Sequence, residues 1–213
     1  ASLTKSQILG LGKEKIELTP FFPYFKPALA GLIVLLVFVG VFSYDLVKSS
    51  LPGDLLYVIR KVAHEGQAVF ISNEDKPAFQ LKLANERLED LTKAPAKNLA
   101  PTIIEFQANI AEAAKNLAKI DATTSDPIVI KKIVEETKKL EENKQKVELL
   151  GVVIGEEGTA ELENALGKIV ANLIEDLENR TLGEEQTEIL TKMKELFENG
   201  EYSTALELYL ISQ

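Results

Sequence analysis

Leu162, Leu166, Ile169, Val170, Leu173, Ile174 and Leu177 recur at steps of three and four, the signature of one buried helix face. They predict a helix from about Glu161 to Asn179 and, as the richest apolar face of the body, the centre of its core. The same spacing predicts the other elements beyond residue 50, and the period-two alternation of strands is absent. A first helix, from about Asp54 to Ile71, carries Leu55, Ile59, Val62 and Phe70 broadly on one side. "SNEDKP" breaks it, with Ser72 or Asn73 as the cap of a second helix that runs to about Lys93 and presents Leu81, Ala84, Leu88 and Leu91.

After "KAPAKNLAP" a third helix puts Ile103, Phe106, Ile110, Ala113, Leu117 and Ile120 on one stripe. Ser125 or Asp126 caps a fourth, with Pro127 in its first turn. Ile130, Ile133, Leu140 and Val147 make a thin seam there, interrupted by Thr137 and Lys144, and "EETKKLEENKQK" reads as a solvated face. "GVVIGEEGTAE" is a glycine-bounded connector; no strand precedes it and no GKS or GKT comes after it, so it is not a phosphate-binding loop. The last stretch, "EILTKMKELFENGEYSTALELYLI", predicts a helical hairpin about Gly200.

One segment departs from this amphipathic pattern. Pro27 to Tyr44 contains no charged residue, and Leu46 and Val47 extend the run past Asp45. As a helix, residues 27–47 give about the 20 residues that cross a hydrocarbon core of roughly 30 Å. Phe21, Phe22, Tyr24 and Phe25 crowd one end and Tyr44 marks the other, as interfacial aromatics do. "VKSS" is a poor match to a signal-peptide cleavage site. The fold class expected is therefore all-α: a single transmembrane helix followed by an extracytoplasmic bundle of about six to seven helices. Residues 1–26 form a short basic tail, 27–47 the span and 51–213 the body, the body dividing into 51–121 and the hairpins of 126–213.

Charge adds an orientation. The tail holds four lysines against two glutamates, whereas residues 45–213 hold 20 basic and 31 acidic side chains. Close to the run, Lys13, Lys15 and Lys26 on one side face Lys48, Arg60 and Lys61 on the other, so the positive-inside rule barely discriminates. A short basic tail inside and a large acidic body outside is the expected arrangement, with residues 27–47 in the lipid bilayer of a bacterial cytoplasmic membrane. The overall charge of −9 argues against nucleic acid as a partner. With no Cys, thiolate metal sites and thiol nucleophiles are excluded. Adjacent carboxylates such as Glu135/Glu136 and Glu184/Glu185 diverge on a helix and do not converge on one proton or ion. The single histidine, His64, reads as a half-exposed helix residue. No catalytic constellation or cofactor site is expected, and the chain reads as a non-enzyme.

The turn "SSLPGDLLY" ends the apolar run. Pro52 disfavours helix at the residue before it, Gly53 tolerates unusual dihedrals, and Asp54 is a good N-cap for the next helix. Tyr57 packs on the body or rests among headgroups, packing being favoured. "SLPGDLLYVIRKVAHEGQAVF…KPAFQLKLANERLEDL" resembles a bacterial membrane-associated family classed as a domain of unknown function. Its members carry an apolar anchor, then Pro-Gly-Asp-x-Leu-Tyr-x-x-Lys/Arg, then a helix ending in Ala-x-x-Arg-Leu-Glu-x-Leu. Pro52, Gly53, Asp54, Leu56, Tyr57, Arg60 or Lys61, Glu65, Ala84, Arg87, Leu88, Glu89 and Leu91 match, over about residues 27–120.

The resemblance implies an extracytoplasmic helical domain behind one span and brings no activity. Some relatives look like transmembrane partners of sigma factors with a longer cytoplasmic region; here 26 residues precede the anchor. Separately, Gly200, Tyr202, Ala205 and Tyr209 resemble half of a tetratricopeptide repeat, without a second copy at the repeat period.

Two functions are expected on these grounds. In the first, the body is a membrane-tethered interaction or scaffold module, holding an unknown protein, cell-wall polymer or a second copy of itself. In the second, the chain is an anti-sigma-like transmembrane regulator whose tail holds a cytoplasmic partner. The tail's Gly10 and Gly12 weaken a helix there, which favours the first.

Overall fold

A computed structural model describes residues 45–123, 125–155 and 158–212. The predicted span, residues 27–47, lies outside them except for its last three positions, which belong to a helical turn at 45–48. The chain divides into two units, Ala1–Leu46 and Val47–Gln213, and the second is compact. No helix among the described residues is long and apolar enough to cross a membrane.

Seven helices build the second unit, with no strand among the described residues: α1 (Tyr57–Phe70), α2 (Lys76–Leu91), α3 (Ala96–Leu117), α4 (Pro127–Leu149), α5 (Thr159–Glu178), α6 (Glu184–Glu198) and α7 (Tyr202–Ile211). Five of them close into a ring. α2 packs on α3 and α4, α5 packs on α3, and α7 joins α4 to α5. α6 lies outside the ring against α5 and α7. The ring encloses Leu81, Leu88, Phe106, Ile110, Leu117, Ile130, Ile133, Leu173 and Leu206, all sealed from solvent. Each such side chain contributes about 1.5–3 kcal/mol by leaving water.

All seven apolar residues predicted for the central helix are buried on α5. The stripe of α2 is buried from Leu81 to Leu91, and that of α4 from Ile130 to Val147. Thr137 does not interrupt the α4 seam; it is buried, with its hydroxyl turned back onto the Ile133 carbonyl at 2.8 Å. Asp126 caps α4 through its carboxylate, which accepts from the Ile128 amide at 2.8 Å.

Several boundaries differ from expectation. α3 begins at Ala96 and runs through Pro101. Proline at this sixth position lies inside the helix and forfeits one backbone bond, to the Lys97 carbonyl, while the apolar face beyond it stays in register. α2 is preceded by Asp75, while the expected cap Ser72 closes the turn before it, accepting from the Asp75 amide at 3.1 Å. α1 begins at Tyr57, not at Asp54.

The polar run of α4 is less free than its composition implies. Lys139 pairs with Glu89 of α2 at 2.9 Å, Lys138 pairs with Glu207 of α7, and Glu141 accepts from Ser203 at 2.9 Å. Between α2 and α4 the fully buried Asn85 donates to Glu136 and accepts from Asn143 at 3.2 Å. A run that looks solvated in sequence is in part the polar edge of two helix contacts.

The C-terminal hairpin turns at Gly200, whose φ of 77° lies in the left-handed region open to glycine. Ala205 and Tyr209 are buried, and Met193 on α6 is sealed beside them. The Tyr202 ring covers Gly167 of α5, where an added Cβ would meet it at 3.1 Å. Gly200, Tyr202, Ala205 and Tyr209 thus close the hairpin onto α5 and complete the core.

Candidate functional site

The residues that match the Pro-Gly-Asp motif gather at the root of α1. Asp54 accepts from the Leu51 amide at 3.0 Å and from the Asn98 side chain at 3.2 Å, with Lys97 at 3.5 Å. Leu51's amide, then Asn98's side chain, and the Lys97 ammonium hold its carboxyl below the usual carboxylate range. Asp54 therefore locks the turn instead of capping the helix, which corrects the expected N-cap; the residue before α1 is Leu56. Buried Asn98 also donates to the Pro52 carbonyl at 2.7 Å, tying the turn to the first turn of α3.

Gly53 adopts φ 95°, and a Cβ there would come within 3.3 Å of both the Asn98 amide nitrogen and Pro101. Gly53→Ala should cost about 1–3 kcal/mol through left-handed strain and crowding. Thermal melting of residues 47–213 checks it, and an unchanged midpoint would mean that the turn is not held as described.

Beneath the turn lies a buried ionic cluster. Arg60 of α1 donates to the Ser50 carbonyl at 2.9 Å, to Asp90 at 3.0 Å and to Glu86 at 3.1 Å. Arg87, 1% exposed, donates to the Tyr57 hydroxyl at 3.0 Å and reaches Glu86 and Asp90 at 3.2 and 3.3 Å. Its guanidinium lies over the Tyr57 ring, 5.3 Å from the centroid. Two guanidiniums and two carboxylates thus balance across α1 and α2, which is how buried charge is tolerated. Burial pushes the Tyr57 hydroxyl up to about 12 and raises the Asp90 carboxyl against the pull of Arg87 and Arg60.

The motif residues do not all join this cluster. Ala84 and Leu88 are core residues of α2, while Leu56, Glu65 and Glu89 are exposed, Glu89 pairing with Lys139. Arg60, not Lys61, is the basic residue drawn inward; Lys61 bridges to Glu105 of α3 at 2.7 Å nearer the surface.

His64 sits 3.8 Å from Glu86 and faces Arg60, Arg87 and Lys82 as well. Burial, more than these charges, lowers its pKa, and Glu86 opposes the shift. A histidine held neutral in the fold is protonated first in the unfolded chain, so this group's contribution to stability is present above about pH 6.5 and is lost as pH falls below it. His64→Gln should therefore flatten the melting-point decline between about pH 7.5 and about pH 5.5. Identical slopes for parent and variant would exclude the role.

α1 is thus held by polar groups on its inner face: Tyr57, Arg60, Lys61 and His64. A cavity of about 210 Å³ lies among α1, α2 and α3, and among the described residues α1 takes part in none of the extensive helix contacts. The apolar side that periodicity finds is turned away from the body. Leu55 is 95% and Phe70 90% exposed, and Val58, Ile59, Val62 and Val69 between them are open to solvent too. With Ala63 and Gly66 the members within α1 form an uninterrupted apolar arc about 140° wide at 3.6 residues per turn, and Leu55 lies in the turn just ahead of it. Sequence periodicity finds which residues share a side; it does not find which side is inner. The signal for that is Arg60 facing Glu86 and Asp90, two acidic residues one turn apart on α2.

Among the described residues no group of three His, Asp or Glu side chains is placed to hold a metal ion. No protein-family model, no curated protein and no solved structure matches this chain.

Proposed function

We propose that this chain is a membrane-tethered, extracytoplasmic helical module that engages a protein partner and performs no chemistry of its own. Residues 27–47 span the bacterial cytoplasmic membrane, with the tail inside and the body outside. The observation that supports engagement is the outward apolar arc of α1. Soluble domains bury their most amphipathic helix faces, and large exposed apolar patches mark interaction sites. The ionic cluster beneath holds the arc outward by giving the inner face a better partner than water.

Val37→Asp should sharply reduce retention in the membrane fraction, since a charge at mid-span costs about 2.5 kcal/mol or more to insert. Undiminished retention would count against the span. Cross-linking in native membranes then tests the engagement, comparing the full chain with one lacking residues 1–19. Partners retained by both forms and linked through lysines of 51–213 fit the module; a partner lost with the tail would make the chain a transmembrane regulator.

A further inference from the structure

We propose that the α1 arc is a self-association surface, through which two copies of this chain pair α1 against α1 at the membrane. The inference rests on the tethered-module reading above.

Charge argues first. The arc contains no ionisable side chain, so it meets its own copy without like-charge conflict, as an isologous contact requires. A bilayer surface fits less well. Helices that lie in anionic headgroups carry free basic residues beside the apolar face. Here Arg60 is spent on Glu86 and Asp90, Lys61 on Glu105, and exposed Glu65 borders the arc beside Val58. The body itself is acidic, with 31 acidic against 20 basic side chains over residues 45–213.

Chain length argues next. Ten residues, Asp45 to Asp54, join the charge-free run to Leu55. Copies anchored by that run hold their arcs within the reach of a ten-residue link, at most about 33–36 Å, and meet by diffusion in one plane, where effective concentration is high.

Spacing and Gly66 argue third. Leu55, Ile59, Val62, Gly66 and Val69 follow the four-three alternation of a helix–helix seam. Gly66 sits mid-helix with nothing within 4 Å of where its Cβ would be, so no contact among the described residues requires glycine. Glycine in a helix interior is less favourable than alanine. A second helix crossing at Gly66 and Ala63 supplies the reason, since small residues let two backbones approach.

The test uses the absence of native cysteine. The full chain carrying Val62→Cys is reconstituted in phosphatidylcholine vesicles and in vesicles containing phosphatidylglycerol. Membrane retention is confirmed first, so that a failed anchor shows before the pairing is examined. On mild oxidation, disulfide dimers should form at least about tenfold faster than with Glu185→Cys on exposed α6, in both lipids. Adding Ile59→Lys should cut the rate back to that control. Equal rates for the two thiol positions, or dimers indifferent to Ile59→Lys, overturn the proposal. So does quenching by spin-labelled lipid of a fluorophore attached through the introduced thiol of Val62→Cys, in the absence of dimer, which would make the bilayer the occupant. A photo-crosslinker in place of Val62 that traps another protein in native membranes, with no dimer, would overturn self-pairing and leave the interaction module standing.

Discussion

Replacing Leu173 with Asp should abolish cooperative folding of residues 47–213 or lower the melting midpoint by more than about 10 °C. Leu173 is fully buried on α5, at the middle of the ring's apolar face. A carboxylate there has no basic partner among the core residues around it, and burying it uncompensated costs several kcal/mol, about 4 or more. Domains of this size are stable by only about 5–15 kcal/mol, so one such change takes much of the total. Leu173→Ala provides the graded companion, at about 2–5 kcal/mol. Circular dichroism melts of the three forms check both, and a Leu173→Asp form that melts like the parent would mean that the core lies elsewhere.

The second large effect is local in its reach. Arg87→Met keeps most of the side-chain volume but removes the donor to Tyr57 and the ion-pair partner of Glu86 and Asp90. Removing one member of a fully buried pair costs about 3–5 kcal/mol. Here Arg60 still pairs with Glu86 and Asp90, so the loss lies toward the lower end, one negative charge being left in excess. Because α1 is fixed through this cluster and packs little on the other described helices, amide exchange should accelerate along α1 while α5 stays protected. Uniform acceleration throughout residues 47–213 would show that α1 is integral to the core and not an attached element. High salt alone should have a weaker effect in the same direction, since buried pairs are screened less than exposed ones.

Much of the fold was legible because its strongest signal is repetitive. The seven apolar positions of α5 and the stripes of α2 and α4 repeat over about three turns or more and are buried. So are Phe106, Ile110, Ala113 and Leu117 of α3, whereas Ile103 is half-buried and Ile120 lies half-buried beyond the helix end. The failures have separate physical causes. The third helix is expected after "KAPAKNLAP", yet it begins at Ala96 and runs through Pro101, because losing one backbone bond is outweighed by the packing of the face beyond it. Thr137 looked like a break in a seam, yet a threonine can bond back to its own helix and be buried. Asn85 and Asn143 were overlooked because the partner of each lies more than 50 positions away.

The candidate site was legible in its members and not in its arrangement. Tyr57, Arg60 and Arg87 stand out in the motif, and the structure brings them together with Glu86 and Asp90. Leu55, Ile59, Val62 and Phe70 do share a side, but that side faces out. A helix whose inner face is ionic inverts the usual assumption that the apolar stripe finds the core. Periodicity carries no information on that sign.

The ring of helices also sets an order of events. α4 and α5 are bridged by α7, which comes after the other six helices in the chain, and its Ala205 and Leu206 are fully buried. Until residue 202 and those after it are available, α2 to α5 form an open arch with one apolar wall uncovered. A chain that enters its folding compartment from the N-terminal end therefore carries a nearly complete yet unsealed core until α7 follows. During that interval it is most exposed to proteases and chaperones, and the ten residues of α7 end it.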